Sequence, residues 1–196
     1  MNVQEATTRR LPDLKERHLP ENCRETINTI LKETYGYEQF RNLEIYDDLS
    51  KGKEKLCISQ GQLIENVILE AEKAWKSETQ VDNILLTAPT GSGKSLLFQL
   101  PAIYLGKEYN LLTIVVSPLK ALIVDQVESL QELGYARVAY ASSDLSPEQK
   151  MEVYRQVREG EIDLFYLSPE LLLSYDIKHF VGERRIGLVV VDEAHT

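Results

Sequence analysis

Two clusters in this chain could do chemistry together. The first is Ala88-Pro89-Thr90-Gly91-Ser92-Gly93-Lys94-Ser95, set between the apolar run Ile84-Leu85-Leu86 and the helical-looking stretch Leu96-Leu97-Phe98-Gln99-Leu100. Strand, glycine-rich loop and helix form the order a phosphate cradle needs. Gly91 and Gly93 let the backbone curl so that several N–H groups point at one anion. Pro89, Thr90 and Ser92 complete the loop, and the following helix adds its positive N-terminal end. Lys94 can reach the β- and γ-phosphates of a nucleoside triphosphate, and the Ser95 hydroxyl can ligate Mg²⁺. The usual first residue of such a loop is Gly; here it is Ala88.

The second cluster is Asp192-Glu193-Ala194-His195, which follows the apolar run Gly187-Leu188-Val189-Val190-Val191. Open α/β sheets bind ligands at the carboxyl ends of their strands, so both carboxylates should lie near the loop. Asp192 would hold Mg²⁺ through water, because Mg²⁺ takes oxygen ligands and keeps several waters. Glu193 would polarise the water that attacks the γ-phosphate.

Positioning these residues requires a sheet with strands separated by helices. Residues 81–86 read as a first strand, 95–105 as a helix and 111–116 as a near-continuous apolar strand. Residues 119–133 carry apolar Leu119, Leu122, Ile123, Val127 and Leu130 at helical spacing and stop at Gly134. A short strand over 136–140 follows. The next helix opens on Ser146 and Pro147 and runs to about Glu159, and strands over 162–167 and 186–191 complete the series. Such alternation predicts an α/β fold: a parallel sheet covered by helices on both faces. Residues 1–80 are more polar and mostly helical in pattern. The division expected is therefore a helical N-terminal segment, 1–80, and a nucleotide-binding domain, 81–196. The stretches at 51–55 and 76–80 are polar enough to be exposed or disordered.

Composition is that of an ordinary soluble protein, with 43% hydrophobic and 27% charged residues among 196. No apolar run is long enough for a bilayer span, and the N-terminus lacks the apolar core of a secretory signal, so an intracellular protein without membrane contact is expected. Cys23 and Cys57, the 2 cysteines, suit free thiols rather than a zinc site or a disulfide. His18 and His179 read as surface residues. The net charge of −9 disfavours broad electrostatic binding to nucleic acid, so any such contact should be local.

Taken together, Ala-Pro-Thr-Gly-Ser-Gly-Lys-Ser and Asp-Glu-Ala-His resemble the superfamily 2 helicases. The stretch between them narrows this. Val116-Ser117-Pro118-Leu119, Asp125-Gln126-Val127, Leu133-Gly134 and Leu164-Phe165-Tyr166-Leu167-Ser168-Pro169-Glu170 are similar to the RecQ-like DNA helicases in order and spacing. Upstream, Leu31 to Arg41, with Tyr35, Gly36, Tyr37 and Phe40, looks like the adenine-recognition motif of that family. The resemblance implies a RecA-like P-loop domain that uses ATP and Mg²⁺. Tyr35 and Tyr37 would offer faces for the adenine, Arg41 a ribose or phosphate contact, and His195 a further place at the nucleotide. Ser117-Pro118-Leu119 and Ser168-Pro169 would meet the phosphates of a single strand. The alternative for the aromatic cluster is a small core, and for the Ser-Pro pairs, helix capping.

The chain departs from that pattern in places. Where RecQ proteins have a Gln after Phe40-Arg41, this sequence has Glu44, and it runs longer before the phosphate loop. Gln62 could supply the adenine contact or simply start a helix. Thr196 stands where RecQ proteins often have Cys. The resemblance further implies a second RecA-like domain carrying an arginine finger, which these residues lack. The expectation is therefore the ATP-binding half of a DNA helicase or translocase with 3′→5′ polarity, acting on single-stranded or tailed duplex DNA. Its protein partners are unknown. The rival readings are a DEAD/DEAH-type RNA helicase and an ATP-gated scaffold that does not unwind.

Overall fold

The computed structural model describes residues 22–46, 55–76, 83–86 and 91–193. Helix α1, Glu25–Tyr35, buries Ile27, Ile30 and Leu31, the one face that helical spacing makes apolar. It ends at Gly36, whose φ of 69° closes the helix with an N–H bond to the Lys32 carbonyl. Strands β1, Asn42–Tyr46, and β2, Lys55–Ser59, pair antiparallel, with Asn42 opposite Ser59 and Tyr46 opposite Lys55. Helix α2, Gln60–Trp75, opens on a capping box: the Ser59 side chain accepts from backbone N–H groups of the first turn, and Gln62 Oε1 accepts from the Ser59 N–H.

The hairpin is a feature that the helical pattern of this segment did not announce. Its sequence alternates apolar and polar residues at Leu43, Ile45, Leu56 and Ile58, a period of two. Ile58 is buried and Leu43 packs on the same core. The hairpin base is closed by Arg41 and Gln60, which exchange two hydrogen bonds across it: Gln60 N–H to the Arg41 carbonyl at 2.9 Å, Arg41 N–H to Gln60 Oε1 at 3.2 Å. Lys55 belongs to that hairpin, whereas 51–54 and 77–80 lie outside the described residues.

Helix α3, Leu96–Tyr109, is apolar all round and is buried continuously from Leu96 to Gly106. It leads to β3, Leu112–Val116, then α4, Lys120–Glu132, and β4, Val138–Ala141. Helix α5, Pro147–Arg158, starts with a Ser146–Gln149 capping box and Pro147 in its first turn, as its sequence requires. Strand β5, Leu164–Leu167, short helices α6, Pro169–Ser174, and α7, Ile177–Val181, and strand β6, Ile186–Val191, follow.

The four later strands form one parallel sheet in the order β4-β5-β3-β6. Strand periodicity sends Val115, Val138, Leu164 and Tyr166 into a core with α1 to α4. It sends Ile114, Val116, Ala139, Phe165 and Leu167 to the other face, against α5 and α7. Helices on both faces are what the alternation predicts. The strand expected over 81–86 is not formed in its described part: 83–86 pair with no strand, and Leu85 is 69% exposed. A strand needs a neighbour. Both edges of β3 are taken by β5 and β6, and the outer edge of β6 has no partner strand among the described residues.

The sheet is tied together at its N-terminal end by Asp163, fully buried just before β5. Its carboxylate accepts from Arg137 at 2.6 Å, Arg184 at 2.9 Å and Tyr135 at 3.0 Å, linking the entries of β4, β5 and β6. His179 is exposed as expected, yet it is not isolated. Its ring stacks on Tyr175, with centroids 4.7 Å apart. No helix among the described residues is long and apolar enough to cross a membrane.

Candidate active site

The C-terminal tip of β6 and the start of α3 bring the two clusters together. Lys94 Nζ lies 3.7 Å from Glu193 Oε1. The loop bends as its glycines allow, with φ of 80° at Gly91 and 78° at Gly93. Ser95 stands at the N-cap of α3 and makes no side-chain cap bond, which leaves its hydroxyl to another partner. Ser92 Oγ is buried in the loop with no partner among the described residues. Asp192 is placed by its N–H bond to the Val116 carbonyl, at 2.9 Å, and its Oδ1 accepts from the Glu193 N–H at 3.0 Å. Glu193 takes a left-handed φ of 53°, uncommon for a non-glycine residue, which turns its side chain back towards Lys94. Pro89, Thr90 and His195 lie outside the described residues.

These groups fit a nucleoside triphosphate with Mg²⁺. A cationic Lys94 and the N-terminal end of a long helix face the same space as two carboxylates. No group of three or more His, Cys, Asp or Glu among the described residues could hold a metal alone. Mg²⁺ binds through one or two protein oxygens, water and substrate phosphates, a role open to Ser95 and Asp192.

The base-recognition candidates sit beside this space at the end of α1. Tyr35 and Tyr37 are stacked, with centroids 6.3 Å apart and planes 19° apart. They are not equivalent. Tyr37 is 50% exposed and offers a free face, whereas Tyr35 packs on the core and donates its hydroxyl to Gln99 Oε1 at 2.9 Å. Burial, together with the nearby Tyr166 and Tyr37, pushes the Tyr35 phenol well above its usual range, so it stays a neutral donor. The Arg41 side chain is exposed. Glu44 is exposed on the hairpin opposite Cys57.

The amide that meets the phosphate loop is Gln60. It is buried, and its Nε2 donates to the Ser92 carbonyl at 3.1 Å. Gln62, the candidate from sequence, serves the capping box of α2. A signal for Gln60 was present, since it begins the same Gln60-Gly61-Gln62 triplet. Gln99 was equally visible as the lone amide in an apolar helix.

The Ser-Pro pairs also differ. Ser168 caps α6, its Oγ accepting from the Leu171 N–H at 3.4 Å. Pro169 follows as the first helical residue. Ser117 is not presented to solvent: it is 1% exposed, its N–H donates to the Leu167 carbonyl at 3.1 Å, and its Oγ has no partner among the described residues. Pro118 is partly exposed, and Leu119 is exposed at the start of α4.

The model of the DEAD/DEAH box helicase family matches residues 69–196. The ATP-dependent DNA helicase RecQ of Synechocystis sp. is 33% identical over 174 residues, covering 88% of this chain and 30% of its own. The ATP-dependent DNA helicase Q-like 5 of Arabidopsis thaliana is 33% identical over 172 residues, 87% of this chain and 15% of its own. The RecQ of Bacillus subtilis is 32% identical over 167 residues, 85% of this chain and 23% of its own. The chain spans less than a third of the length of these curated relatives. With loop, acids and parallel sheet in the arrangement described, the chain belongs to the DEAD/DEAH box helicase family, and within it is RecQ-like.

Proposed function

We propose that this chain is the ATP-binding half of an ATP-dependent DNA helicase that couples Mg-ATP hydrolysis to movement along single-stranded DNA and to unwinding with 3′→5′ polarity. The observation that carries the reading is the 3.7 Å approach of Lys94 to Glu193 at the junction of phosphate loop and sheet. In use, Lys94 draws the charge of the β- and γ-phosphates, and the loop N–H groups hold their oxygens. Glu193 orients the attacking water and takes its proton at Oε1. Ser95 and Asp192 would hold Mg²⁺ with water, and the ion would supply charge neutralisation at the phosphate oxygens. Tyr37 stacks on the adenine and Arg41 reaches the ribose or a phosphate.

The relatives are named as ATP-dependent DNA helicases, which favours DNA as the strand tracked and an intracellular site of action. An arginine finger from a second RecA-like domain would complete the charge stabilisation, so these residues alone should turn ATP over slowly. The test is the ATPase rate of the full-length protein with and without single-stranded DNA or RNA, paired with strand displacement on tailed duplexes. Stimulation by DNA and unwinding from a 3′ tail are expected. Stimulation by RNA alone would favour an RNA helicase. Tight nucleotide binding that responds to neither would favour an ATP-gated scaffold. Fast turnover by the isolated chain, abolished by Lys94→Ala, would overturn the half-site.

A further inference from the structure

One side chain inside α3 bonds to α1, α4 and β5 at once. Gln99 is 5% exposed within an otherwise apolar run. An amide in that setting is costly unless its hydrogen bonds are made. They are all made. Its Oε1 accepts from Tyr35 Oη at 2.9 Å, and its Nε2 donates to Gln126 Oε1 at 2.7 Å and to Tyr166 Oη at 3.2 Å. Its backbone N–H bonds to the Ser95 carbonyl at 2.9 Å, one helical turn from Lys94.

The partners lie on different elements. Tyr35 ends α1 and begins the base-recognition segment. Gln126 is on α4, the helix that follows Ser117-Pro118. Tyr166 is on β5, just ahead of Ser168-Pro169, and its phenol is pushed up by burial and by the charge of Asp192. The base-recognition segment, the helix that follows the first Ser-Pro turn and the strand that precedes the second thus converge on a single buried amide.

We propose that Gln99 is a positioning residue that couples nucleotide occupancy of the loop to the placement of the nucleic-acid turns. The proposal rests on the helicase reading above. A mostly buried polar network in which both amide hydrogens of Gln99 are used has few alternative arrangements. A shift of α3 as the loop closes on phosphate must therefore move α4 and β5 with it or break these bonds. Coupling of this kind is reciprocal, so DNA held at the turns would favour the same position of α3.

The test uses the full-length protein with Gln99→Met and Gln126→Met, singly and together. Each single change should lower the stimulation of ATPase by single-stranded DNA at least about fivefold. The KM for ATP without DNA should stay within about twofold, and the double variant should be no worse than the poorer single. Unchanged stimulation in DNA-responsive protein, or losses that simply add, would overturn the coupling. So would a parallel fall in Tm and in all activities, which marks a merely structural amide. If Gln99→Met does not fold, Gln126→Met decides alone, because it cuts the same bond from a half-buried position on α4. A wild-type ATPase indifferent to DNA would fail the helicase reading itself, and the coupling with it.

Discussion

The side-chain amide of Gln60 fills the space that a side chain on Gly93 would need. A Cβ built on Gly93 stands 2.7 Å from Gln60 Nε2. The same nitrogen donates to the Ser92 carbonyl, and Gln60 Oε1 accepts from the Arg41 N–H. One buried residue therefore braces the phosphate loop against the base-recognition segment, at the point where the β-hairpin rejoins the chain.

Gln60→Ala should accordingly weaken nucleotide binding about fivefold, since the one hydrogen bond it makes to the loop, of about 1 kcal/mol, is lost together with its brace to the Arg41 N–H. Gln62→Ala should act instead on stability, costing about 1 kcal/mol through the capping box of α2. Titration with a fluorescent ATP analogue and thermal melts of both variants separate the two. Loss of ATP-over-GTP preference in Gln62→Ala, with Gln60→Ala silent, would return the adenine contact to Gln62.

That pair shows where the sequence stopped speaking. The approach of Lys94 to Glu193 was legible because a glycine turn opening a helix and an acidic pair ending an apolar strand are local signals. What Gln60 and Gln62 each bond to was not a local matter. It depends on Ser59 starting the helix and on Arg41 lying opposite, across the hairpin base. Residues 84–86 have the composition of a strand, but composition cannot say whether a neighbouring strand stands beside them. Ser117-Pro118 and Ser168-Pro169 are the same dipeptide after an apolar strand. One buries its hydroxyl without a partner among the described residues and the other caps a helix, because α6 starts directly after Ser168 whereas α4 starts only at Lys120, with Leu119 at its N-cap.

The two cysteines should differ sharply in reactivity. Cys57 is exposed on β2. Burial and the neighbouring Glu65 carboxylate, 3.8 Å from its sulfur, push the Cys23 thiol up to about 12. At neutral pH a thiol reagent should label Cys57 promptly and Cys23 only on unfolding. Mass spectrometry of the labelled chain reads this directly. Equal rates in the folded protein would mean that the α1–α2 contact opens readily.

The same contact should give acid sensitivity. Burial opposes charge on Glu72, but Arg24, at 2.7 Å, with Tyr109 and Tyr104, outweighs it and holds the carboxyl below its ordinary 4.5. A depressed folded value means stabilisation that is present above pH 4.5 and is lost as pH falls through the folded value. Tm should therefore drop below that pH, and Glu72→Gln, less stable at neutral pH, should show a shallower drop. Identical acid slopes in the two proteins would remove Glu72 as the cause.

The Ser-Pro turns should respond to alanine with opposite signs. Ser168 Oγ satisfies the Leu171 N–H at the start of α6, so Ser168→Ala should cost about 1 kcal/mol of stability. Ser117 Oγ is buried without a partner among the described residues, so removing it relieves a desolvated hydroxyl, and Ser117→Ala should be neutral or stabilising by about 1 kcal/mol. Denaturant unfolding of both variants gives the signs, and single-stranded DNA binding by the same proteins gives the functional weight. If DNA affinity falls in Ser168→Ala alone, phosphate recognition at these turns belongs to the α6 end. If it falls in Ser117→Ala, that hydroxyl must turn outward when the strand binds, at the expense of the packing seen around it. A destabilised Ser117→Ala would show that the hydroxyl has a partner in solution, and would refute the assignment of this turn as an unsatisfied one.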